Sequence, residues 1–434
     1  MTLDPQSLRI DGVYEQRQPG NFMLRVKVPA GILSSEQALK VAEIADRFAG
    51  GAVHLTTRGS IELHWLQPDT LAEAWRMLAA VGLTTRGACG GAVRGVVCAA
   101  PDEAGYAIVQ ALAQRLLHHF TRNPRFEGLP KKFKIGVFAG YGDGRHLIQD
   151  LALVLRGGEG EARYDVWTAG GLGREPSPAF LLEEGVAAER IIPLAEAVVA
   201  VYRDNTPKGK RLKHLVREVG RDGFERLVRE LEEQPRSLGA AIGLAAALTP
   251  APSNVAPERV EAVIFAGELK TVELTALADI ARRYADGFMV LTGGQNVLFF
   301  LSGRRQRDNA VSALAAAGFD GGSRMQRVNF RVCPGIHECR MGLAPTRDVA
   351  AAVIDSMGAG GEHLAWSISG CPNSCSQPQL ADVGIVTVKS VKGDDGERHP
   401  LFDLYRRSGN DGFGAAVSQG LALEELLRTV QALG

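Results

Sequence analysis

Apolar residues recur at helical spacing in two distant segments of the chain, and a short apolar strand follows each segment. A glycine closes each predicted helix (Gly50 or Gly51 in the first segment, Gly287 in the second), which suits the left-handed residue that often ends a helix. With the residues just before them, both segments therefore predict a strand, a helix and a strand. The apolar positions of the two helices are Val41, Ile44, Ala45 and Phe48, and Leu277, Ile280, Ala281 and Tyr284.

The two segments are copies of one unit. Residues 30–63 align with residues 266–299 without a gap at an offset of 236. Two common strand-helix-strand units could resemble each other by chance, but the gapless match favours duplication. Thr57-Arg58 in the first copy corresponds to Gly293-Gly294 in the second, so only one copy keeps a charged side chain at the strand exit. The pattern predicts a pseudo-twofold protein with a single working site.

Helices and strands alternate through the rest of the chain, which indicates an α+β or α/β protein. Strands are predicted near 92–99, 133–138 and 164–167, and helices at 104–120, 194–205 and 209–231. The segment 236–256 is rich in alanine and proline, which is typical of a linker.

Length and charge narrow the class of protein. The chain has 434 residues, too many for one ordinary core, and 49 basic side chains balance 49 acidic ones. Nothing in this balance favours nucleic acid or an anionic membrane as a partner. The polar N-terminus has no signal-peptide pattern, and the most apolar stretch, 238–248, is about half a membrane span. We therefore expect a soluble, cytoplasmic protein.

Four of the six cysteines lie in two close pairs near the C-terminus. Cys333 and Cys339 have C-x5-C spacing, and Cys371 and Cys375 have C-x3-C spacing. Two loops that each supply two thiolates suit an iron–sulfur cluster. A structural zinc site is the main alternative, although its cysteine pairs are usually closer, and buried structural cysteines are the third. The crowding favours the cluster over a disulfide framework.

The two cysteine motifs, the second within SGCPNSC, resemble those of the siroheme-dependent sulfite and nitrite reductases. The resemblance implies a pseudo-twofold α+β fold with duplicated ferredoxin-like half-domains and siroheme- and 4Fe-4S-binding α/β domains. It implies siroheme and a 4Fe-4S cluster as cofactors, with Cys375 bridging the cluster to the siroheme iron. The expected parts are 1–80 and 236–305 (the half-domains, the second with the linker), 81–235 (siroheme and substrate) and 306–434 (cluster and siroheme).

Three basic stretches are similar to the residues that this family places around siroheme and its substrate. The resemblance gives catalytic roles to Arg58, Arg94, Lys132 and Lys134, and cofactor contacts to Thr57, Arg58, Arg94 and Lys132. Strand alternation predicts that Lys132 and Lys134 share one face, with Phe133 on the other and Lys131 in solvent. Taken singly, each of these residues could instead be an ordinary surface side chain.

Weaker features complete the expected site. By resemblance, the glycine turn at Gly171 approaches siroheme, and His64 points toward it. The basic helix start at 208–214 is either a solvated face, a contact for the siroheme carboxylates, or a docking site for an acidic electron carrier. Leu63 stands where some relatives carry a tyrosine cross-linked to a cysteine near Cys89, so no cross-link is expected. Cys98 is expected in the core.

The resemblance implies an oxidoreductase that reduces sulfite to sulfide with six electrons from a ferredoxin or a separate flavoprotein. In the nitrite-reducing branch the position of Lys134 is commonly asparagine, so this lysine favours sulfite. Reduction of nitrite to ammonium, or a monooxygenase of the precorrin-3B synthase type, are alternatives within the superfamily. A non-catalytic module stabilised by zinc or a cluster is an alternative of another class.

Overall fold

The computed structural model describes residues 4–99, 105–156, 161–233, 258–393, 396–409 and 411–433. The predicted linker at 236–256 and the apolar stretch 238–248 lie outside these residues. The described chain forms four β-sheets with helices packed against them. None of its helices combines the length and apolar character that a membrane span requires.

The first copy of the repeated unit contributes four of the five strands of an antiparallel sheet. Ser34 caps its first helix by accepting a hydrogen bond from the backbone of Gln37, whose side chain bonds back to Ser34. The buried face of that helix includes Val41, Ile44 and Ala45, as the spacing predicts. The elements are β1 (Val13–Glu15), β2 (Phe22–Val26), β3 (Ile32–Ser34), α1 (Ser35–Phe48), β4 (Ala52–Leu55), β5 (Ile61–Leu66) and α2 (Leu71–Ala80).

The middle part of the chain forms a five-stranded sheet in the order β10-β9-β8-β7-β6, covered by three helices. The sequence analysis missed β8 and β10. Of the strand predicted at 92–99, only its end forms a strand, while Ala92 and Val93 make isolated bridges to the chain before β7. The elements are β6 (Val97–Ala99), α3 (Tyr106–Phe120), β7 (Ile135–Phe138), β8 (Leu151–Arg156), β9 (Arg163–Thr168), β10 (Phe180–Ala187), α4 (Ile191–Asn205) and α5 (Leu212–Glu233).

The second copy repeats the elements of the first. Its elements are β11 (Glu258–Ala262), β12 (Glu268–Lys270), α6 (Thr271–Tyr284), β13 (Phe288–Leu291), β14 (Val297–Leu301) and α7 (Arg304–Ala316). The two copies exchange strands, since β12 pairs with β4 of the first copy and β3 pairs with β13 of the second. Helices α1 and α6 pack together, and one hydrophobic core contains residues of both copies.

At two equivalent positions, a glycine lets the backbone of one copy lie close to the backbone of the other. A Cβ added at Gly31 would lie 2.6 Å from the carbonyl oxygen of Leu291, and one at Gly267 would lie 2.7 Å from that of Leu55. Both glycines have positive φ, 76° and 67°. The offset of 236 relates Gly31 to Gly267 and Leu55 to Leu291. The two contacts are therefore equivalent, and the duplication predicted from the sequence is also present in the structure.

We expect Gly31→Ala and Gly267→Ala each to lower the free energy of unfolding by about 2–4 kcal/mol, because each adds a backbone clash to a left-handed φ. Gly51→Ala is the matched control: Gly51 has a φ of 76°, but nothing lies within 4 Å of its added Cβ. The control should cost about 1–2 kcal/mol. Chemical denaturation of the three variants measures the difference. Equal losses in all three would show that the close contacts contribute nothing.

The last part of the chain places both cysteine pairs beside one sheet of order β15-β16-β17-β18-β19. Strands β15 and β16 are parallel neighbours, with Val332 opposite Ile368. We propose the division 1–80, 81–235, 236–305 and 306–434, with the first and third parts packed as one unit. Helix α7 crosses the boundary at 305, and its buried side chains lie in the core of that unit. The elements of the last part are β15 (Phe330–Val332), α8 (Thr346–Ser356), β16 (Trp366–Ser369), β17 (Val383–Lys392), β18 (Arg398–Arg406), β19 (Ala415–Leu421) and α9 (Leu423–Gln431).

Candidate functional site

A cavity of about 750 Å³, partly open to solvent, lies where the first copy, the middle part and the cysteine loops meet. Cys333 and Cys375 form part of its wall. Burying several cations together is unfavourable unless an anion joins them. The cavity is therefore suited to a negatively charged ligand beside a thiol. Its basic lining residues are Arg25, Lys27, Arg58, Arg94, Lys132 and Lys134.

Arg58 reaches the cavity from the turn between β4 and β5. Thr56 closes this turn, because its hydroxyl accepts hydrogen bonds from the backbone N–H groups of Arg58 and Ser60 at 3.3 and 3.2 Å. The guanidinium donates to the carbonyl of Gly95 at 2.7 Å and to Oε1 of Gln149 at 3.1 Å. Burial, and then the nearby Arg94, lower the pKa of Arg58 to about 9. The hydrogen bonds of the side chain thus go to neutral groups, while Asp150 lies near enough to favour its charge.

Arg94 carries the clearest sign of a missing partner. It is 6% exposed, and its Nη2 donates to the carbonyl of Gly90 at 3.0 Å. Its Nη1 is buried and has no hydrogen-bond partner among the described residues. A buried guanidinium nitrogen without an acceptor is costly, so this donor is available to a bound oxyanion.

Lys132 and Lys134 lie on one side of their segment, as strand alternation predicts. Phe133 points the other way into the core, where its ring lies 5.6 Å from that of Tyr202. The backbone of Phe133 bonds to Ala92 and Arg94, which sets both lysines next to Arg94. Burial is the main cause that lowers the pKa of Lys132 to about 8 and that of Lys134 well below its usual value.

Sequence reasoning missed Lys27 and Arg25 as cavity residues. Lys27 is 2% exposed, and its amine lies 3.2 Å from Oγ1 of Thr121. Burial, and then Arg94, lower the pKa of Lys27 to about 7. Both side chains alternate with Leu24 and Val26, which resembles a strand with one solvent-facing side. The sequence did contain a signal for these residues, because β4 and β5 also carry polar residues on one face. This shared polar face lines a functional site and does not face water.

The fold explains how the two cysteine pairs meet. Cys333 follows β15 and Cys371 follows β16, and the ends of adjacent parallel strands lie at the same edge of a sheet. Cys339 returns to the loop through a turn in which its N–H donates to the carbonyl of Gly335 at 2.9 Å. Thr57 links the first copy to the second pair, because its hydroxyl donates to the carbonyl of Cys375 at 3.1 Å.

The four thiols lie within electrostatic range of one another. Burial, and then Cys375, raise the pKa of Cys333 and Cys371, and they raise that of Cys339 to about 12. The N–H of Gly370 donates to Sγ of Cys333 at 3.1 Å, and amide donation to sulfur is typical of thiolates that hold iron–sulfur clusters. Among the described residues, no three His, Cys, Asp or Glu side chains are placed to hold a single metal ion. The donor set fits a multi-iron cluster.

Two predicted contacts lie away from the cavity. His64 does not line it and lies behind Glu62, with Nε2 of His64 3.5 Å from Oε2 of Glu62. Gly171 packs against the guanidinium of Arg211, and its carbonyl accepts a hydrogen bond from Lys213 at 3.2 Å. Cys339 and Cys371 also lie outside the cavity wall.

The basic helix start at 208–214 is solvated only in part. Lys208 and Lys210 are exposed, whereas Arg211 and Lys213 are buried. Arg211 pairs with the fully buried Asp150 at 2.8 Å. This segment therefore fixes the glycine turn and Asp150, whose other oxygen accepts no hydrogen bond among the described residues.

The second copy has no equivalent of Arg58. Gly294 stands at the position that corresponds to Arg58. The guanidinium of Arg145 occupies the space that a side chain at Gly293, the equivalent of Thr57, would need. The pseudo-twofold symmetry is thus broken at the point where the sequence predicts a single working site. Cys89 and Cys98 are free thiols; Cys89 is fully buried, and Cys98 packs against the core of the middle part.

Two family models match the sequence. The nitrite/sulfite reductase ferredoxin-like half domain matches residues 14–81 and 259–317, which are the two copies of the repeat. The nitrite and sulphite reductase 4Fe-4S domain matches residues 87–236. The four clustered cysteines lie outside these ranges, so their assignment rests on their own motif and placement.

Known proteins align along most of the chain. A ferredoxin–nitrite reductase of Synechococcus elongatus is 30% identical, over 94% of this chain and 84% of its own length. A sulfite reductase [ferredoxin] of Mycobacterium tuberculosis is 28% identical, over 86% of this chain and 71% of its own length. The structure of the Mycobacterium tuberculosis NirA protein, 24% identical, superposes with a TM-score of 0.83 over 97% of this chain and 84% of that one. This last likeness confirms the predicted duplicated fold.

Proposed function

This chain belongs to the nitrite and sulfite reductase family, and from that premise we propose that it reduces sulfite to sulfide. As a member it is an oxidoreductase with siroheme and a 4Fe-4S cluster as cofactors. The observation that carries the substrate proposal is the cavity, where six basic side chains surround a volume beside Cys375. Sulfite is a small, highly charged oxyanion, and such an anion gains most from several converging cations.

The residues present fit both cofactors. Siroheme carries eight carboxylates, and the unpartnered Nη1 of Arg94 and the half-buried Lys132 and Lys134 offer charge to it and to the substrate. Cys333, Cys339, Cys371 and Cys375 would hold the cluster, and Cys375, which is exposed at the cavity, would join it to siroheme. When bound, these groups supply the iron that binds the anion and the electrons that reduce it.

The side chains of this chain then position and protonate the substrate. The unpartnered Nη1 of Arg94 can donate to an oxyanion, whereas Lys132 and Lys134 act as point charges that can also donate protons. The pKa values of Lys132 and Lys134 are lowered toward pH 7, and a proton donor is efficient when its pKa is near the working pH. Arg58, fixed by Gln149 and Gly95, keeps the cavity positive without moving. We propose a ferredoxin or a separate flavoprotein as the electron donor, in line with the ferredoxin-dependent relatives.

Reduction of nitrite to ammonium is the second candidate, because a ferredoxin–nitrite reductase is among the most similar relatives. The deciding experiment measures turnover of both anions by the purified, iron-replete protein with a reduced viologen dye. Sulfite should be reduced with the higher kcat/KM. A strong preference for nitrite would contradict the choice of sulfite, and the absence of siroheme absorption bands would contradict a reductase of either kind.

Lys134→Asn should lower kcat/KM for sulfite about tenfold more than for nitrite. The reason is that losing one cation weakens binding of a doubly charged anion more, by an assumed difference of about 1.4 kcal/mol. Lys131→Asn is the matched control, since Lys131 is the exposed neighbour on the same segment. Steady-state kinetics of both variants with both anions test this. An equal loss for the two anions would show that Lys134 does not discriminate between them.

A further inference from the structure

A row of ionisable side chains crosses the first sheet beside the cavity. In the strand register Glu62 of β5 lies opposite Arg25 of β2 on one side and His54 of β4 on the other. His64 follows two residues after Glu62, so strand alternation places it on the same face. The proposed function leaves this row without a role, although three of its members line the cavity.

Glu62 is the only carboxylate among the described residues that line the cavity. It is 6% exposed and forms an ion pair with Arg25, whose Nε lies 3.1 Å from its Oε1. A carboxylate in a cavity that binds an anion opposes binding, so charge complementarity alone does not explain it. A group that accepts a proton and passes it on would explain the same position.

His64 is the next ionisable side chain of this row and lies outside the cavity wall. Its Nε2 lies 3.5 Å from Oε2 of Glu62, and its side chain is 11% exposed. Both ring nitrogens are buried atoms without a hydrogen-bond partner among the described residues. The other neighbour, His54, is a poor proton carrier, because burial lowers its pKa to about 3.

Arg25 determines when Glu62 can take a proton. Although burial opposes ionisation, Arg25 and the histidines hold the pKa of Glu62 well below its usual range. Arg25 also lines the cavity, so an anion that enters offers it a second negative partner. Competition for Arg25 weakens its hold on Glu62 and makes the protonated carboxyl accessible once the anion is bound.

We propose that His64 and Glu62 form the proton-entry path of the cavity, with Arg25 releasing Glu62 when the anion binds. The inference rests on the proposed function, because reduction of sulfite or nitrite takes up protons as its oxygens leave as water. In each transfer an N–H bond of His64 breaks while an O–H bond forms on Glu62. That O–H bond then breaks as the proton passes to a substrate oxygen. His64 regains a proton from solvent in motions that expose its ring nitrogens, which are buried in the structure. The electrons come from the reduced external donor.

Glu62→Gln in the full-length holoenzyme keeps the shape of the side chain and removes the proton acceptor. We expect kcat to fall about 10²–10⁴-fold, the usual contribution of a general acid, with little change in anion affinity. Glu62→Asp should recover part of the rate. Glu196→Gln is the matched control, because Glu196 also pairs with a histidine, His119 at 2.8 Å, away from the cavity. The control should keep the wild-type kcat.

Two further measurements separate proton transfer from structural damage. Imidazole in solution should restore turnover to His64→Ala, and failure of this rescue overturns the role of His64. An infrared difference spectrum upon sulfite addition should show a protonated carboxyl group in the wild type that is lost in Glu62→Gln. Wild-type kcat in Glu62→Gln, or a loss confined to anion affinity, overturns the proposal. If the wild type reduces neither anion, the proposed function fails instead.

Discussion

Cys375→Ser is expected to reduce turnover of sulfite and nitrite by more than about 10³-fold, because the remaining side chains cannot carry electrons between cofactors. Cys375 is the one thiol of the second pair that faces the basic cavity, and the hydroxyl of Thr57 fixes its backbone. A serine keeps this backbone contact and changes only the donor atom. Loss of turnover would therefore report on the sulfur.

The measurement combines viologen-driven turnover with the siroheme absorption spectrum and assays of iron and acid-labile sulfide. We expect the siroheme bands to change or disappear in Cys375→Ser. Cys98→Ala is the control, since Cys98 is a free thiol away from the cavity, and it should keep both cofactors and the wild-type rate. A Cys375→Ser enzyme with near-wild-type turnover would refute the bridging role. Zinc without iron in the wild type would refute the cluster itself.

Arg94→Met is expected to lower kcat/KM by about 10²–10³-fold, the usual result of removing one preorganised donor to developing negative charge. Methionine keeps much of the apolar volume of the side chain and removes the fork. The structure supports a large effect, because Nη1 of Arg94 is buried without a partner while Nη2 bonds only to Gly90. Arg94→Lys should recover part of the loss, since it restores charge without bidentate geometry.

Arg305→Met is the control for Arg94→Met, because Arg305 is exposed on α7, away from the cavity. Anion binding, followed by the shift of the siroheme spectrum, should weaken in Arg94→Met together with kcat/KM. Unchanged anion binding and turnover in Arg94→Met would show that the unpartnered nitrogen does not face the substrate.

The duplication was readable from the sequence because both copies use the same local rules. The capping pair Ser34 and Gln37, the apolar stripe of α1 and the glycines that end it all act within a few residues. The exchange of β3 and β12 between the copies was not readable. That arrangement depends on pairing between strands more than 200 residues apart, which no local pattern encodes.

The candidate site, like the fold, was only partly predictable from the sequence. Arg58, Arg94, Lys132 and Lys134 were found by motif, and the structure brings all four to one cavity. Their catalytic roles remain a prediction. Glu62 and Lys27 were missed because period-2 alternation says which residues share a face but not what covers that face.

By itself, the sequence determined the repeated unit, the two cysteine pairs and the basic stretches, since each is written in residues that are close together along the chain. Only the tertiary structure decided that Cys333 and Cys371 end neighbouring parallel strands, and that Thr57 contacts Cys375. It also decided that Arg145 fills the space of a side chain at Gly293, which corresponds to Thr57 in the first copy. The physical reason is that burial and charge pairing act through space, so a cluster of buried cations becomes an anion site only when distant segments enclose it together.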